Sequence, residues 1–298
     1  MLKIILILLS AILVSQASGL EDSVEVVVIY SQNSNGLLEN CHCPEHAYGA
    51  LEKRAFVVDS IRKVKKHVLL LESGDVLDIV DNALLHKYVV KAYRLMQYDA
   101  WVPGDQDFVQ GADFFINRMI GAMGTLLNSN ILYKNTLIGQ RYLIKTFDSV
   151  KIGITGTFNP KFYKYLHKES QKKFRFENQE QRLEEILVEL EGKCDYLILL
   201  SHSGMEQDKY LAERFPKFNL IIGGHSQTLT KEPVIVNGTY IVQAGESGYR
   251  LGIVELLFVG MNLESCLNKF ILLDKKIKDH PEVINIIKEY HKKRLAEK

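Results

Sequence analysis

The sequence predicts a layered α/β protein. Three features point there: near-continuous apolar runs of strand length, helix-period segments between them, and Gly-plus-polar clusters just past successive strand ends. Runs such as VEVVVIY at 24–30 suit strands buried on both faces, whereas a half-buried strand would alternate.

The elements follow in order. Residues 24–30 read as the first strand, 51–64 as a helix, 68–71 as the second strand and 83–97 as the next helix. Trp101 and Val102 form a short third strand. Strands at 150–155, 196–200 and 220–222 then alternate with helices at 181–190 and 207–215, so a βα order runs to about 222. Beyond it, 234–236 and 240–242 flank Asn237-Gly238, the dipeptide of a type I′ hairpin turn. Asn237-Gly238-Thr239 also fits a glycosylation sequon, but the alternating flanks favour the turn. Two more strands lie near 252–259 and 269–273. Pro281 opens a final helix with Val283, Ile286, Ile287, Tyr290 and Leu295 on one stripe, read as packing onto the protein's own core.

Composition excludes several classes. With 47% hydrophobic and 24% charged residues the chain is an ordinary globular protein, and its net charge of +1 gives no reason to expect nucleic acid or an anionic membrane as partner. The basic stretch Arg62-Lys63-Lys65-Lys66-His67 and the tail Lys292-Lys293-Arg294 read as solvated helix faces. Residues 1–17 read as a secretory signal: Lys3, an apolar run at 4–14 too short to span a bilayer, and small residues around Ala17. Residues 18–298 then form one domain, periplasmic or secreted, with no membrane attachment after cleavage. Export permits disulfides among Cys41, Cys43, Cys194 and Cys266, although Cys194 and Cys266 read as small buried apolar residues.

The chemistry sits beyond the strand ends. Ser73-Gly74-Asp75 follows the second strand, Gly104-Asp105-Gln106-Asp107 the third, Ser201-His202-Ser203-Gly204 the strand at 196–200, and Gly223-Gly224-His225-Ser226-Gln227 the strand at 220–222. Carboxylate, imidazole and amide are donors for hard or borderline divalent cations. No Walker loop, Gly-x-Gly-x-x-Gly, Gly-x-Ser-x-Gly or His-Glu-x-x-His is present.

In that order these motifs resemble the calcineurin-like metallophosphoesterases, and within them the 5'-nucleotidase branch, over about residues 24–273. Gly-Gly-His-Ser-Gln at 223–227 carries the likeness best. Leu200-Ser201-His202-Ser203-Gly204, Gln243-Ala244-Gly245-Glu246-Ser247-Gly248 and Leu127-Asn128-Ser129-Asn130-Ile131 add to it. The resemblance implies a fold of two mixed β-sheets sandwiched and flanked by helices. It implies a two-metal site for manganese, zinc or magnesium, with Asp75 bridging, Asp105, His202 and His225 around one ion, and Gln227 on the other. Gln106 and Asp107 stand at the catalytic positions, and Arg54 and Asn130 at substrate-binding ones. A small phosphorylated substrate, a nucleotide among the candidates, would be hydrolysed.

The chain departs from the family pattern at three places. Asn33 and Asn35 stand where the family has Asp-x-His. Asp105 replaces an Asn ligand. Gln106 replaces a His, and an amide cannot act as a general acid. Cys41-His42-Cys43 follows the weakened half-site. Its cysteines could replace the lost ligands, form a reducible disulfide, hold an accessory metal, or pair with Cys194 or Cys266. The family's nucleobase-stacking second domain has no counterpart before Lys298, so a partner protein would supply it or the substrate is smaller. Alternative functions are a sulfur-compound hydrolase of the same superfamily and a catalytically degenerate metal-binding or redox module.

Overall fold

The computed structural model describes residues 23–40, 47–166 and 168–297. The expected signal segment, Cys41 and Cys43 lie outside them. The strands are β1 (Ser23–Ser31), β2 (Val68–Glu72), β3 (Ala100–Trp101), β4 (Thr125–Leu126), β5 (Ile131–Tyr133), β6 (Thr136–Leu137), β7 (Tyr142–Phe147), β8 (Val150–Phe158), β9 (Phe174–Phe176), β10 (Tyr196–His202), β11 (Leu220–Gly223), β12 (Val234–Val236), β13 (Thr239–Val242), β14 (Arg250–Val259) and β15 (Asn262–Leu272). The helices are α1 (Leu51–Val64), α2 (Ala83–Met96), α3 (Gly111–Phe114), α4 (Lys168–Lys173), α5 (Gln179–Leu190), α6 (Met205–Arg214) and α7 (Pro281–Ala296).

Two six-stranded sheets carry the fold, in the orders β15-β14-β1-β2-β3-β4 and β12-β13-β11-β10-β8-β7. Both are mixed. β1 to β4 run parallel, with β14 antiparallel to β1. In the second sheet β8, β10, β11 and β13 run parallel, with β7 and β12 antiparallel at the edges. A small sheet of β6, β5 and β9 lies apart.

The period-two geometry of β1 explains its continuous apolar run. Val26, Val28 and Tyr30 face inward against Ile152, Ile154, Ile198, Leu200 and Ile222 of the second sheet. Val27 and Ile29 face outward into a core shared with α1, α2 and α7. The outer face of the second sheet is covered by Leu183 and Leu187 of α5 and Leu211 and Ala212 of α6. The result is four layers, helix–sheet–sheet–helix, as expected from the sequence.

Details sharpen that expectation. Asn237 and Gly238 both have positive φ (48° and 86°), as a type I′ turn requires. The last hairpin is longer than expected, with β15 starting at Asn262. In α7, Val283, Ile286, Ile287 and Tyr290 are buried, and Tyr290 packs 5.7 Å from Tyr88 of α2. Leu295, expected on the same stripe, is exposed. Cys194 and Cys266 are half-buried free thiols.

Candidate metal centre

β1, β2 and β3 of one sheet and β10 and β11 of the other end at the same edge of the sandwich. Their loops interlock there through backbone hydrogen bonds: Asn33 N–H to Gly74 O (2.8 Å), Asn35 N–H to Asp75 O (3.0 Å) and Gly224 N–H to Ser201 O (2.8 Å). Two glycines permit the close approach. A Cβ on Gly74 would lie 2.5 Å from Gly104 N, and one on Gly224 would lie 2.3 Å from Ser73 O. Asn33, Asn35, Asp75, His225 and Gln227 all hold positive φ, between 47° and 71°. Such strained backbone in non-glycine residues concentrates at functional sites.

The loops bring Asp75, Asp105, His202 and His225 together, with one ligand atom from each lying within 4.8 Å of the others. His202 is fully buried. Its Nδ1 lies 2.8 Å from Ser73 O and donates to it, which leaves Nε2 facing Asp105 Oδ1 at 3.3 Å and Asp75 Oδ1 at 3.4 Å. His225 Nδ1 lies 2.9 Å from Asp105 Oδ1. Burial pushes the Asp105 carboxyl up, but hydrogen bonds from His202 and His225 overcome this and hold it well below the usual carboxylate range. Burial pushes the His202 imidazole down, but the charge of Asp75 and the bond to Asp105 raise it well above its ordinary value. Two buried carboxylates converging with two imidazoles suit a divalent cation, and the donor set favours zinc or manganese over calcium.

An amide cluster stands beside this set. Gln106 Nε2 donates to Asp75 Oδ2 (3.0 Å) and Asn35 Oδ1 (3.2 Å), and its backbone N–H donates to Asp75 Oδ1 (3.1 Å). Asn33 ties two loops: its Oδ1 accepts from His225 N–H (3.1 Å) and its Nδ2 donates to His225 O (3.4 Å). Gln227 is exposed two residues beyond His225. The structure thus gathers Asn33, Asn35 and Gln106 around Asp75, with their amides engaged with one another and with the loops.

Three expected site residues have their polar groups engaged elsewhere. Asp107 is buried, and its carboxylate accepts from the backbone N–H groups of Gly104 (2.8 Å), Asp75 (3.1 Å) and Leu77 (3.0 Å). Burial and the nearby Asp75 charge push it up to about 8. It braces the loops that carry Asp75 and Asp105, so its carboxyl group is engaged with backbone. Arg54, expected to bind substrate, is 1% exposed. Its guanidinium donates to the hydroxyls of Tyr93 (2.6 Å) and Ser34 (2.7 Å) and lies 3.6 Å from Glu72. Asn130 is fully buried, donating to Phe158 O (2.8 Å) and accepting from Phe158 N–H (3.1 Å), which fastens the loop before β5 to β8.

Sequence reasoning missed an aromatic strap. A 3₁₀ helix at Pro160–Tyr165 follows β8, capped by Asn159, whose side chain accepts from Lys161 N–H. Its Phe162 stacks on His225, with ring centroids 3.5 Å apart and planes 16° apart. Tyr165 lies 6.3 Å from the same imidazole. The Asn159-Pro160 helix start and the three-residue spacing of the two aromatics were the available signals.

Comparison with known proteins agrees with this geometry. The family model for calcineurin-like phosphoesterases matches residues 41–228. The chain is 25% identical to bovine (Bos taurus) 5'-nucleotidase over 295 residues, covering 87% of this chain and 51% of that one. It spans about half the length of the curated relatives it matches. Among solved structures, a 5'-nucleotidase precursor from Thermus thermophilus superposes with a TM-score of 0.79 at 20% identity, covering 91% of this chain and 59% of the other. The sulfate thiohydrolase SoxB of Thermus thermophilus superposes with a TM-score of 0.77 at 19% identity, over 89% and 60%. From the matched segment, the four-layer fold and the convergent Asp75, Asp105, His202 and His225, the chain belongs to the calcineurin-like phosphoesterase family.

Proposed function

We propose that this chain hydrolyses small phosphomonoesters at the Asp75–Asp105–His202–His225 cluster. The observation that carries this reading is the convergence of two carboxylates and two imidazoles within 4.8 Å at the ends of four strands. Asp75, Asp105, His202 and His225 would hold a divalent cation, which when bound would supply a water of lowered pKa and neutralise phosphoryl charge.

The chain's own groups set the rest. The bond from Nδ1 of His202 to Ser73 O fixes the ring so that Nε2 faces the cluster. Asp107 holds the Gly104 and Asp75 backbones in register, so both loops keep their carboxylates inward. Gln106 takes the place from which a side chain reaches the phosphoryl group, and its amide offers a hydrogen bond to a phosphoryl oxygen where an imidazole would offer a proton. Asn33, Asn35 and Gln227 offer only neutral oxygens for a second cation. We therefore assign tight binding to one cation and weak binding to the second, with Cys41 and Cys43 the candidates to strengthen it. From the signal pattern at the N-terminus, we assign the reaction to the periplasm or the outside of the cell.

Phosphatase assays with manganese, zinc and magnesium test the reading. His225→Ala is expected to lower kcat/KM by more than about 100-fold, because removing an outer-shell support already costs about 10- to 100-fold. Unchanged turnover in His225→Ala would sink the site assignment. The likeness to a sulfate thiohydrolase favours one second reading, hydrolysis of a sulfur compound. Turnover of a sulfonate carrier without turnover of phosphomonoesters would replace the first reading by the second.

A further inference from the structure

We propose that Asp208 and Gln243 are positioning residues for the metal centre: this buried carboxylate–amide pair ties the chain around His202 to the chain around His225, and so sets how tightly the site holds a cation. The proposal rests on the phosphoesterase reading of the cluster and adds two residues that lie outside the ligand set.

Strand geometry puts the pair where it is. Ser201 and His202 are consecutive, so their side chains leave β10 on opposite faces. His202 turns toward the cluster, and Ser201 turns toward α6, which covers the outer face of the sheet. Ser201 pairs in register with Gly223 of β11. Asp208 of α6 is fully buried over this pair. Ser201 Oγ donates to its Oδ1 at 2.6 Å, and Gln243 Nε2, just past β13, donates to its Oδ2 at 3.2 Å. A Cβ on Gly223 would fall 2.1 Å from Asp208 Oδ2 and 2.6 Å from Gln243 Nε2. Glycine at 223 is therefore what lets the pair seat against the sheet.

The direction of the bonds follows from the carboxylate. An ionised carboxylate only accepts, so Ser201 and Gln243 both donate to Asp208. Gln243, itself fully buried, must then turn its Oε1 toward the His225 loop. There it accepts from Ser226 Oγ at 2.8 Å and from Thr228 N–H at 3.2 Å. Ser226 directly follows His225, and its Oγ also accepts from Met205 N–H at 3.1 Å. Ser201, Asp208, Gln243 and Ser226 thus form one path from the neighbour of His202 to the neighbour of His225. His225 needs such a hold, because it sits at a positive φ of 71° with its Nδ1 2.9 Å from Asp105 Oδ1. Hydrogen bonds behind the ligands orient them, and losing one costs about 10- to 100-fold in metal affinity.

Calorimetric titration of the full chain with manganese tests this, with a metal-free melting scan to show that each variant is folded. The titration is run at pH 8, above the value of about 7 to which burial pushes the Asp208 carboxyl. Asp208→Asn sets amide against amide, and Gln243→Glu sets carboxylate against carboxylate. Each is expected to weaken manganese binding by about 10-fold, the lower end of the outer-support range. With both changes together, amide and carboxylate have exchanged places and every bond of the path can re-form. Affinity is then expected to return to near the wild-type value, whereas a pair that only filled space would gain nothing from the exchange. Ser226→Ala, at an exposed position, is expected to weaken binding in the same direction and carries the test if a buried variant does not fold. Unchanged affinity in Asp208→Asn and Ser226→Ala, or no recovery in the double variant, overturns the proposal and leaves the phosphoesterase reading standing. A wild type that binds neither manganese nor zinc and turns over no phosphomonoester overturns both.

Discussion

Under the proposed phosphoesterase reading, Gln106 is the residue whose chemistry bears most on turnover. Its side-chain amide spans Asp75 and Asn35, at 3.0 and 3.2 Å, so it is already aimed into the cluster. A group so placed can orient an oxygen, but it has no proton to give at working pH. Gln106→His is therefore expected to raise kcat on an alkyl phosphate, whose leaving group needs protonation, by at least about 10-fold, since a positioned general acid contributes about 10²–10⁴-fold. Steady-state kinetics at saturating manganese measure it. A lower kcat would show that the amide's hold on Asp75 matters more than the missing acid. The convergence of Asp75, Asp105, His202 and His225 was legible in the sequence because each lies at or just past a strand end, near a glycine or a glycine-bearing turn. Arg54, Asn130 and Asp107 were not. Nothing in a linear sequence says whether a polar side chain at a loop or helix start points outward to a substrate or inward to backbone groups, and here packing turned all three inward.

The helices and strands were more legible than the short irregular pieces, for a physical reason. β1, β10 and β11 are buried on both faces, so their composition alone marks them. α1 and α5 carry clear helical periodicity. The strap at Pro160–Tyr165 has too few residues for any periodicity, and its ring stacking on His225 is a contact across the fold. α1 also carries a device that its pattern conceals. Glu52 is buried, with Oε1 accepting from Asn40 N–H at 3.1 Å and Oε2 without a partner among the described residues. Burial pushes its carboxyl from 4.5 up to about 7. The folded value lies above the unfolded one, so this contribution to stability is complete below about pH 4.5 and is lost as pH rises through about 7. The loss is about 3 kcal/mol across that window, taking about 1.4 kcal/mol per unit. Glu52→Gln is expected to flatten it. Urea unfolding at pH 4.5 and pH 8 checks this, and an identical pH dependence in the variant and wild type would acquit Glu52.

At the scale of the whole molecule, the centre sits where two independent sheets meet. Asp75 and Asp105 come from the sheet built on β1, while His202 and His225 come from the sheet built on β10. Any cation that binds all four residues joins the two halves of the sandwich. Asp75 and Asp107 crowd two carboxyl groups into this seam, where burial and the Asp75 charge push Asp107 up, whereas His202 and His225 offset the charge of Asp105. Because the four residues meet only in the folded chain, a cation bound there would stabilise that state by mass action, about 2.7 kcal/mol at a cation concentration 100 times Kd. For a chain of this size, each kcal/mol moves the melting midpoint by about 2–4 °C. Saturating zinc or manganese is then expected to raise Tm by about 5–10 °C, and a chelator is expected to reverse it. His225→Ala should abolish most of the metal-dependent rise. It should change the metal-free Tm much less, because His225 is only half-buried and its removal leaves the His202 anchor to Ser73 in place. A scan in which metal and chelator give the same Tm would show that the four residues meet as an ion-paired brace between the sheets. A rise that survives in His225→Ala would move the cation away from this cluster.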